Sequence, residues 1–362
     1  LRTGAHKLGV FAMAAKAQTL ISEDPSLAQN LAKKAFRHVS TPETRSTLLD
    51  VYLKTAQRRF FGRITHSQEL FRFSPDGRYA FYAYVQPGPN PINTGYIHDI
   101  STGMVVTKID SPYIPFEDAV FSQDGSKLYC TSDFGNGMVE IDAKKGKITQ
   151  TFSQSYGSSK AIDLSPDGKK LLVATATGYG PNYAIIFDTQ STKEEKKFKI
   201  PHSRRQNLDA YAEYSADGKY ILAGNQEYFG VWEAESGRKL KKYRQYKKDK
   251  RNYVVEAKWI GNAHDVFILY KNGEFLVDRL GKKKRYNSEF RLLPNEAPIG
   301  SVRFSQDGTY AAFRMKDGSV RIYRIDPSQR NFRFTYENTL KVNFKEKPYS
   351  FDISAKGKYL GG

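Results

Sequence analysis

A short phrase of the type Ser-X-Asp-Gly recurs through most of the chain and predicts a seven-bladed β-propeller preceded by a small α-helical segment. Five clear copies end at glycine and two weaker copies keep the spacing: Gly77, Gly125, Gly168, Gly218, Gly308, 261–264 and 354–357. Successive copies are 43 to 50 residues apart, which is the period of a four-stranded propeller blade. Seven copies therefore predict an all-β domain of seven blades.

The first 58 residues have a helical pattern instead. The first helix is predicted at about 5–21, with one apolar face made by Leu8, Phe11, Ala12, Ala15 and Leu20. Asp24-Pro25 and Thr41-Pro42 each supply an N-cap followed by proline at the first helical position, and so begin a second and a third helix. Helices of this kind must pack together or on another surface. We therefore divide the chain into a helical connector at 1–58 and a propeller at 59–362.

From about residue 60 the pattern changes to short strands. In each repeat an apolar strand follows the Asp-Gly turn, and a third strand ends in an apolar or aromatic residue followed by an acid, as at Phe187-Asp188 and Trp232-Glu233. Glycine in these turns supplies the positive φ that tight hairpins need. Only residues 358–362 follow the last copy, so we expect the last blade to be incomplete within this chain.

This order of phrases resembles the WD-repeat β-propellers over about residues 60–362. The Trp-Asp dipeptide and the Gly-His of the fourth strand are missing, so the resemblance is to a divergent member. The helical segment, with 14–18, 23–28, 31–36 and 41–45 before Leu48, resembles the connector that precedes such propellers in bacterial STAND NTPases. In that family the propeller is the sensor or partner-binding region, so the resemblance implies that this chain is the sensor part of a larger multidomain protein. A Gly-rich phosphate loop is missing from the sequence.

The charge of the chain is concentrated in three places. It contains 57 basic and 38 acidic residues and has a net charge of +19. Residues 193–205, 238–251 and 279–285 hold nearly all of this excess. In the WD-type order we expect 191–208, 238–252 and 279–298 to be joints between consecutive blades, so that all three open onto one face.

Cations interleaved with tyrosines suit an acidic macromolecule, because lysine and arginine attract carboxylates or phosphates while tyrosine anchors a protein or stacks on a base. The predicted partner-binding residues are Arg204, Arg205, Lys241, Lys242, Tyr243, Arg244, Tyr246, Lys247, Lys248, Lys250, Arg251, Lys282, Lys283, Lys284 and Arg285. Three interpretations remain open for these segments: a site for an acidic protein or another domain of the parent chain, a nucleic-acid site, or a solvated surface that keeps the protein soluble.

Catalytic chemistry is not indicated. The six histidines are scattered without metal-ligand spacing, and the repeated aspartates belong in turns, where they accept backbone N–H bonds. We therefore predict a non-catalytic scaffold or recognition module without metal or cofactor. A propeller enzyme with a site in its central channel is the alternative, since such sites draw on several blades.

Location is only weakly indicated. No apolar run is long enough to cross a bilayer. Cys130 is the single cysteine, which rules out an internal disulfide and is compatible with the reducing cytosol. We expect a cytoplasmic protein.

Overall fold

The computed structural model places three helices and twenty-six strands among the residues that it describes. Those residues are 2–20, 25–55, 69–86, 92–111, 116–132, 137–177, 180–200, 210–225, 228–244, 254–261, 264–271, 273–280, 285–287, 298–305, 307–315, 319–326, 333–340, 352–353 and 360–361. The chain divides into two compact units, Leu1–Arg63 with Ile100–Met104, and Ile64–Asp99 with Val105–Gly362. The boundary predicted between 58 and 59 lies outside the described residues.

Three helices make up the described part of the first unit: α1 (Arg2–Thr19), α2 (Pro25–His38) and α3 (Pro42–Thr55). Thr41 caps α3, because its Oγ1 accepts the N–H of Thr44 at 3.3 Å while its own N–H is donated to Thr44 Oγ1 at 3.0 Å. The helices meet mainly through alanines, including Ala17, Ala28 and Ala32, which are fully buried. Small side chains allow the helix backbones to approach closely.

Of the five residues predicted to form the apolar face of α1, only Leu20 is buried in the helical bundle, so the prediction is wrong for the other four. Leu8, Phe11, Ala12 and Ala15 are exposed, and Val10, Ala14 and Ala17 on the other side of the helix make the contacts within the bundle. Sequence periodicity identified the larger apolar side chains, whereas close helix packing selected the smaller ones.

The second unit contains six four-stranded antiparallel sheets, each with its strands in chain order from one edge to the other. Blades 1 to 3 are β1 (Glu69–Phe73), β2 (Tyr79–Gln86), β3 (Ile92–Asp99), β4 (Val105–Ser111); β5 (Phe116–Phe121), β6 (Lys127–Ser132), β7 (Gly137–Asp142), β8 (Lys147–Ser153); and β9 (Ser158–Leu164), β10 (Lys170–Ala176), β11 (Asn182–Asp188), β12 (Glu194–Ile200). Blades 4 to 6 are β13 (Tyr211–Tyr214), β14 (Tyr220–Asn225), β15 (Tyr228–Glu233), β16 (Lys239–Arg244); β17 (Val254–Ile260), β18 (Asp265–Tyr270), β19 (Phe275–Arg279), β20 (Arg285–Asn287); and β21 (Pro298–Phe304), β22 (Tyr310–Met315), β23 (Val320–Asp326), β24 (Arg333–Leu340).

The prediction of seven blades is wrong, because the described residues form six four-stranded blades. In the seventh position the described residues form only a two-stranded sheet, β25 (Asp352–Ile353) with β26 (Leu360–Gly361). The seventh copy of the phrase has Lys356 in place of the aspartate.

The first strands of the blades lie side by side in a ring. Each contacts the first strand of the next blade, and β25 contacts both β21 and β1. Apolar clusters fill the space between consecutive blades, for example Phe267 and Phe313 between blades 5 and 6. Cys130 is fully buried in the cluster between blades 1 and 2, and burial raises the pKa of its thiol. The blades therefore stack face to face around an axis.

The repeated aspartates lie in turns, and their predicted structural role is confirmed. In blade 3 the Ser165 hydroxyl donates to Asp167 Oδ1 at 2.6 Å and accepts the Lys170 N–H at 2.9 Å, while Gly168 has a φ of 73°. Blades 1, 2, 4 and 6 repeat the Ser-to-Asp hydrogen bond. In the degenerate copy of blade 5, His264 Nε2 lies 3.0 Å from Asp217 Oδ2 of the preceding blade.

Candidate functional site

The basic segments lie partly in strands, contrary to the prediction that they are joints between blades. Residues 194–200, 239–244 and 285–287 form β12, β16 and β20, the fourth strands of blades 3, 4 and 5. Apolar residues within the segments explain this, since Phe198, Ile200 and Tyr243 are buried against their sheets. The lysines between them therefore lie along the outer edges of blades 3 and 4, whereas β20 in blade 5 contains no lysine.

Two of the predicted binding residues are engaged inside the propeller. Tyr243 is 4% exposed, and its hydroxyl donates to Asp278 Oδ2 at 2.8 Å. The Lys241 ammonium lies 2.9 Å from the same oxygen, and Asp278 is fully buried. These contacts join the outer strand of blade 4 to the third strand of blade 5. Sequence reasoning did not separate them from the exposed cations because all lie in one basic run.

Other lysines on these edge strands lie over aromatic rings. The Lys242 ammonium is 5.1 Å from the centre of the Tyr228 ring, and that of Lys239 is 5.2 Å from the Trp232 ring. On blade 3 the Lys197 ammonium is 3.8 Å from the centre of the Tyr156 ring, and interaction with that tyrosine raises the pKa of Lys197. Cation–π contacts of this kind hold a charge in place while leaving it accessible.

The remaining predicted binding residues lie outside the described part of the chain. For Arg244 and Arg285 the strand is described and the side chain is not. The others are Arg204, Arg205, Tyr246, Lys247, Lys248, Lys250, Arg251, Lys282, Lys283 and Lys284. In the chain, 204–205 follow β12 and 246–251 follow β16, whereas 282–284 lie between β19 and β20.

A second feature, which sequence reasoning missed, is a cavity of about 450 Å³ along the axis of the propeller. Its lining comes mainly from the first strands of the blades and includes ten charged residues: Arg72, Lys160, Lys258, Arg303, Glu117, Asp118, Asp163, Glu213, Glu256 and Asp352. The signal was present in the sequence. Charged residues stand two positions before the serine of five turn phrases, at Arg72, Asp163, Glu213, Arg303 and Asp352.

The channel carboxylates accept backbone N–H bonds from the following blade. Asp163 Oδ2 accepts from Tyr214 N at 2.6 Å, and Glu213 Oε2 accepts from Trp259 N at 3.1 Å. Three further carboxylates accept a backbone N–H in the same way: Asp118 from Ile162 at 3.1 Å, Glu256 from Val302 at 2.5 Å, and Asp352 from Phe73 at 2.9 Å. These acids therefore fasten one inner strand to the next around the ring.

Cations in the channel pair with several of these acids. Arg72 forms an ion pair with Asp118, Lys160 lies 3.3 Å from Glu117, and Arg303 lies 2.6 Å from Glu256. Asp163 has no such short ion pair among the described residues. Burial, with a contribution from the Glu213 charge, raises the pKa of Asp163 to about 7, and burial also raises the pKa of Glu213.

The channel chemistry described so far is structural. Within the described ranges, no three His, Cys, Asp or Glu side chains are grouped to hold a metal ion. The lining of the channel is charged, which is compatible with the alternative of a propeller enzyme. None of the described helices is long and apolar enough to cross a membrane.

Comparison with known proteins supports the fold. The chain is similar to eukaryotic translation initiation factor 3 subunit I of Kluyveromyces lactis, with 22% identity over 51% of this chain and 70% of the relative. The same subunit of Lodderomyces elongisporus is 23% identical over 60% of this chain and 81% of the relative. No family model matches the chain.

Solved structures give the same result. The β-propeller domain of Cps50 (Swd1) from Myceliophteria thermophila aligns with a TM-score of 0.60 and 14% identity, over 81% of this chain and 91% of that one. Kuenenia stuttgartiensis hydrazine synthase aligns with a TM-score of 0.62 and 16% identity, over 83% and 95%. The chain thus contains a WD-repeat-like β-propeller. The resemblance of the helical segment to STAND connectors stays a prediction.

Proposed function

We propose that this chain is a non-catalytic recognition module, in which a rigid propeller holds a basic surface against an acidic protein or another domain of its parent polypeptide. The observation that carries the proposal is the placement of lysines on the outer strands of blades 3 and 4, with a third basic segment leading into the outer strand of blade 5. Strands β12, β16 and β20 each continue into, or follow, a basic segment that sequence analysis selected.

The accessible lysines support this role. Lys197 and Lys242 lie over tyrosine rings, so their ammonium groups are partly ordered before a partner arrives, which lowers the entropy lost on binding. Lys241 and Tyr243, in contrast, stabilise the contact between blades 4 and 5. In this proposal the partner meets Lys242 and the segments beyond the outer strands, including Lys247, Lys248 and Lys250.

The relatives favour a role in an assembly. Both yeast proteins carry the name of a subunit, and a propeller offers several blade edges to neighbours. A sensor role within a larger cytoplasmic protein is part of the proposal and rests on the resemblance of the helical segment to STAND connectors. The likeness to hydrazine synthase concerns the fold alone.

Catalysis in the channel is not part of the proposal. The five carboxylates that accept N–H bonds from the following blade have a structural task there. Acids committed to backbone hydrogen bonds are poorly placed to exchange protons with a substrate, because leaving a buried N–H unsatisfied costs roughly 1–3 kcal/mol.

Charge reversal tests the proposed surface. The variant Lys247→Glu/Lys248→Glu/Lys250→Glu is compared with wild type for binding of fluorescent poly-L-glutamate at about 150 mM salt, where exposed charges more than roughly 8 Å apart are screened. We expect at least about tenfold weaker binding, corresponding to roughly 1.4 kcal/mol.

A second variant controls for net charge. Lys144→Glu/Lys145→Glu/Lys147→Glu makes the same charge change at the exposed turn between β7 and β8 of blade 2, and its affinity should stay within about twofold of wild type. Equal losses in the two variants would show diffuse attraction and refute a localised site.

The nucleic-acid alternative has its own outcome. It predicts that duplex DNA of unrelated sequences binds more tightly than the usual non-specific range of about 10⁻⁴–10⁻⁶ M at physiological salt, with affinity that falls steeply as salt rises. If DNA binds in this way and the first variant weakens it, the partner is nucleic acid and the proposed protein partner is wrong.

A further inference from the structure

Helix α1 carries two apolar faces, and the helical bundle buries one of them. Val10, Ala14 and Ala17 are at most 5% exposed and pack with residues of α2 and α3. Leu8 on the other side is 73% exposed and Phe11 is 37% exposed.

The exposed residues form one continuous stripe. Ala12 and Ala15 are exposed as well, and the spacing of Leu8, Phe11, Ala12 and Ala15 is i, i+3, i+4 and i+7, which places all four on one side of a helix. Single exposed apolar residues are ordinary on protein surfaces, whereas a contiguous apolar patch marks an interaction site. Two of the large apolar side chains exposed in the described structure lie within this stripe, one helical turn apart.

The charge around the stripe indicates what covers it. Helix α1 contains Arg2, Lys7 and Lys16 and no acid. The three helices together contain eight lysines and arginines and two acids. Lys16 borders the stripe and is exposed. A second copy of this chain would place like charges opposite each other, which is unfavourable, whereas acidic side chains complement this surface.

The sizes of the side chains suit a helix as the occupant. Leu8 and Phe11 project as large apolar groups, and Ala12 and Ala15 leave room beside them for large side chains from a partner. An amphipathic helix places its own apolar residues at matching i, i+3, i+4 and i+7 intervals.

From these observations we infer that the stripe Leu8, Phe11, Ala12 and Ala15 of α1 is a docking surface for an acidic amphipathic helix of another protein. This surface lies in the helical unit, whereas the basic segments belong to the propeller unit. Apolar contacts supply the affinity, and Lys16 beside the stripe selects glutamate or aspartate next to the apolar residues of the partner.

Two designed peptides test the inference on the full chain. Both have leucines at i, i+3, i+4 and i+7; one has glutamates flanking them and the other has lysines. By fluorescence anisotropy at about 150 mM salt, the glutamate peptide should bind at least roughly tenfold more tightly than the lysine peptide. Equal affinities, or no binding of either peptide, overturn the inference.

Variants of the helix locate the site. Leu8→Ser/Phe11→Ser should weaken the glutamate peptide at least about tenfold with an unchanged unfolding midpoint, because the removed groups are exposed. The matched control Ile148→Ser/Tyr336→Ser replaces exposed apolar residues on β8 and β24 and should leave the affinity within about twofold.

A second copy of the chain, or another part of the same chain, would give different results if it covered the stripe. If sedimentation shows a wild-type dimer that Leu8→Ser/Phe11→Ser converts to monomer, a second copy covers the stripe and the inference is wrong. If the double substitution instead lowers the unfolding midpoint, the chain itself covers the stripe, which also contradicts an external partner.

Discussion

Asp163 shows how one side chain joins two blades and responds to pH. Its Oδ1 accepts the N–H of Leu164 at 2.9 Å, and its Oδ2 accepts the N–H of Tyr214 in the next blade at 2.6 Å. Burial opposes its ionisation, and the nearby Glu213 adds to that effect while Lys258 reduces it. The carboxyl therefore titrates near pH 7 in the folded protein and near 3.8 when unfolded.

The folded state binds this proton more tightly than the unfolded state does. The contribution of Asp163 to folding is therefore largest below about pH 4, falls as the pH rises toward 7, and is constant above that. In wild type, ionisation of Asp163 lowers the unfolding free energy by roughly 2 kcal/mol as the pH rises from about 5 to 8. Asp163→Asn does not titrate, so its unfolding free energy, measured with urea, should fall less over the same range.

Asp167→Asn is the matched control in the same blade. Hydrogen bonds from Ser165 and Lys169 lower the pKa of Asp167, so it is ionised in both states from about pH 5 upward. This variant should be offset from wild type by a constant amount at all these pH values. Parallel curves for wild type and Asp163→Asn would contradict the account of the channel.

The outer strand β16 illustrates why part of a basic segment is structural. Its sequence alternates lysines with Leu240 and Tyr243, and pairing with β15 turns Tyr243 into the space between blades 4 and 5. There its hydroxyl and the Lys241 ammonium satisfy the buried Asp278. A buried carboxylate requires such partners.

Tyr243→Phe should therefore destabilise the propeller by about 1.5–3 kcal/mol, the usual contribution of a hydrogen bond to a charged group. The control is Tyr228→Phe on β15 of the same blade. The buried hydroxyl of Tyr228 has no hydrogen-bond partner among the described atoms, so its removal should cost clearly less. Equal unfolding midpoints for the two variants in denaturant titrations would argue against the proposed role of Asp278.

These elements also show how far the sequence could predict the molecule. The turns were predictable because Ser165, Asp167 and Gly168 act locally, through hydrogen bonds to neighbouring backbone and a positive φ. The packing of α1 was not predictable, because the side of α1 that is buried depends on how closely α2 approaches. The burial of Tyr243 was hidden for a similar reason, since Asp278 lies in the next blade.

The channel acids were predictable in part, unlike the turns, which were fully predictable, and the packing of α1, which was not. Their recurrence before the turn serine is visible in the sequence, at Asp163, Glu213 and Asp352. Their partners are backbone N–H groups 51 residues further along the chain for Asp163 and 46 for Glu213, and for Asp352 at the other end of the propeller. Residue type alone does not identify a backbone partner, so these acids could not be separated from a catalytic set.

On the scale of the whole molecule, the proposed recognition role requires a closed and rigid ring of blades. Six four-stranded blades stack around the axis, and the two-stranded sheet β25–β26 completes the circle by contacts with β21 and β1. Ile353 packs with Ala312 and Val320 of blade 6, while Asp352 reaches Phe73 of blade 1. A ring fastened at this point holds the outer edges of blades 3 to 5 in fixed relation to one another.

Amide hydrogen exchange at Phe73 measures this closure directly. We expect the Phe73 N–H to be protected in wild type, and Asp352→Ala to speed its exchange at least about tenfold, or roughly 1.4 kcal/mol of local opening, while the Tyr214 N–H, which Asp163 holds, stays unchanged. Fast exchange of the Phe73 N–H in wild type would show an open ring and contradict a rigid propeller.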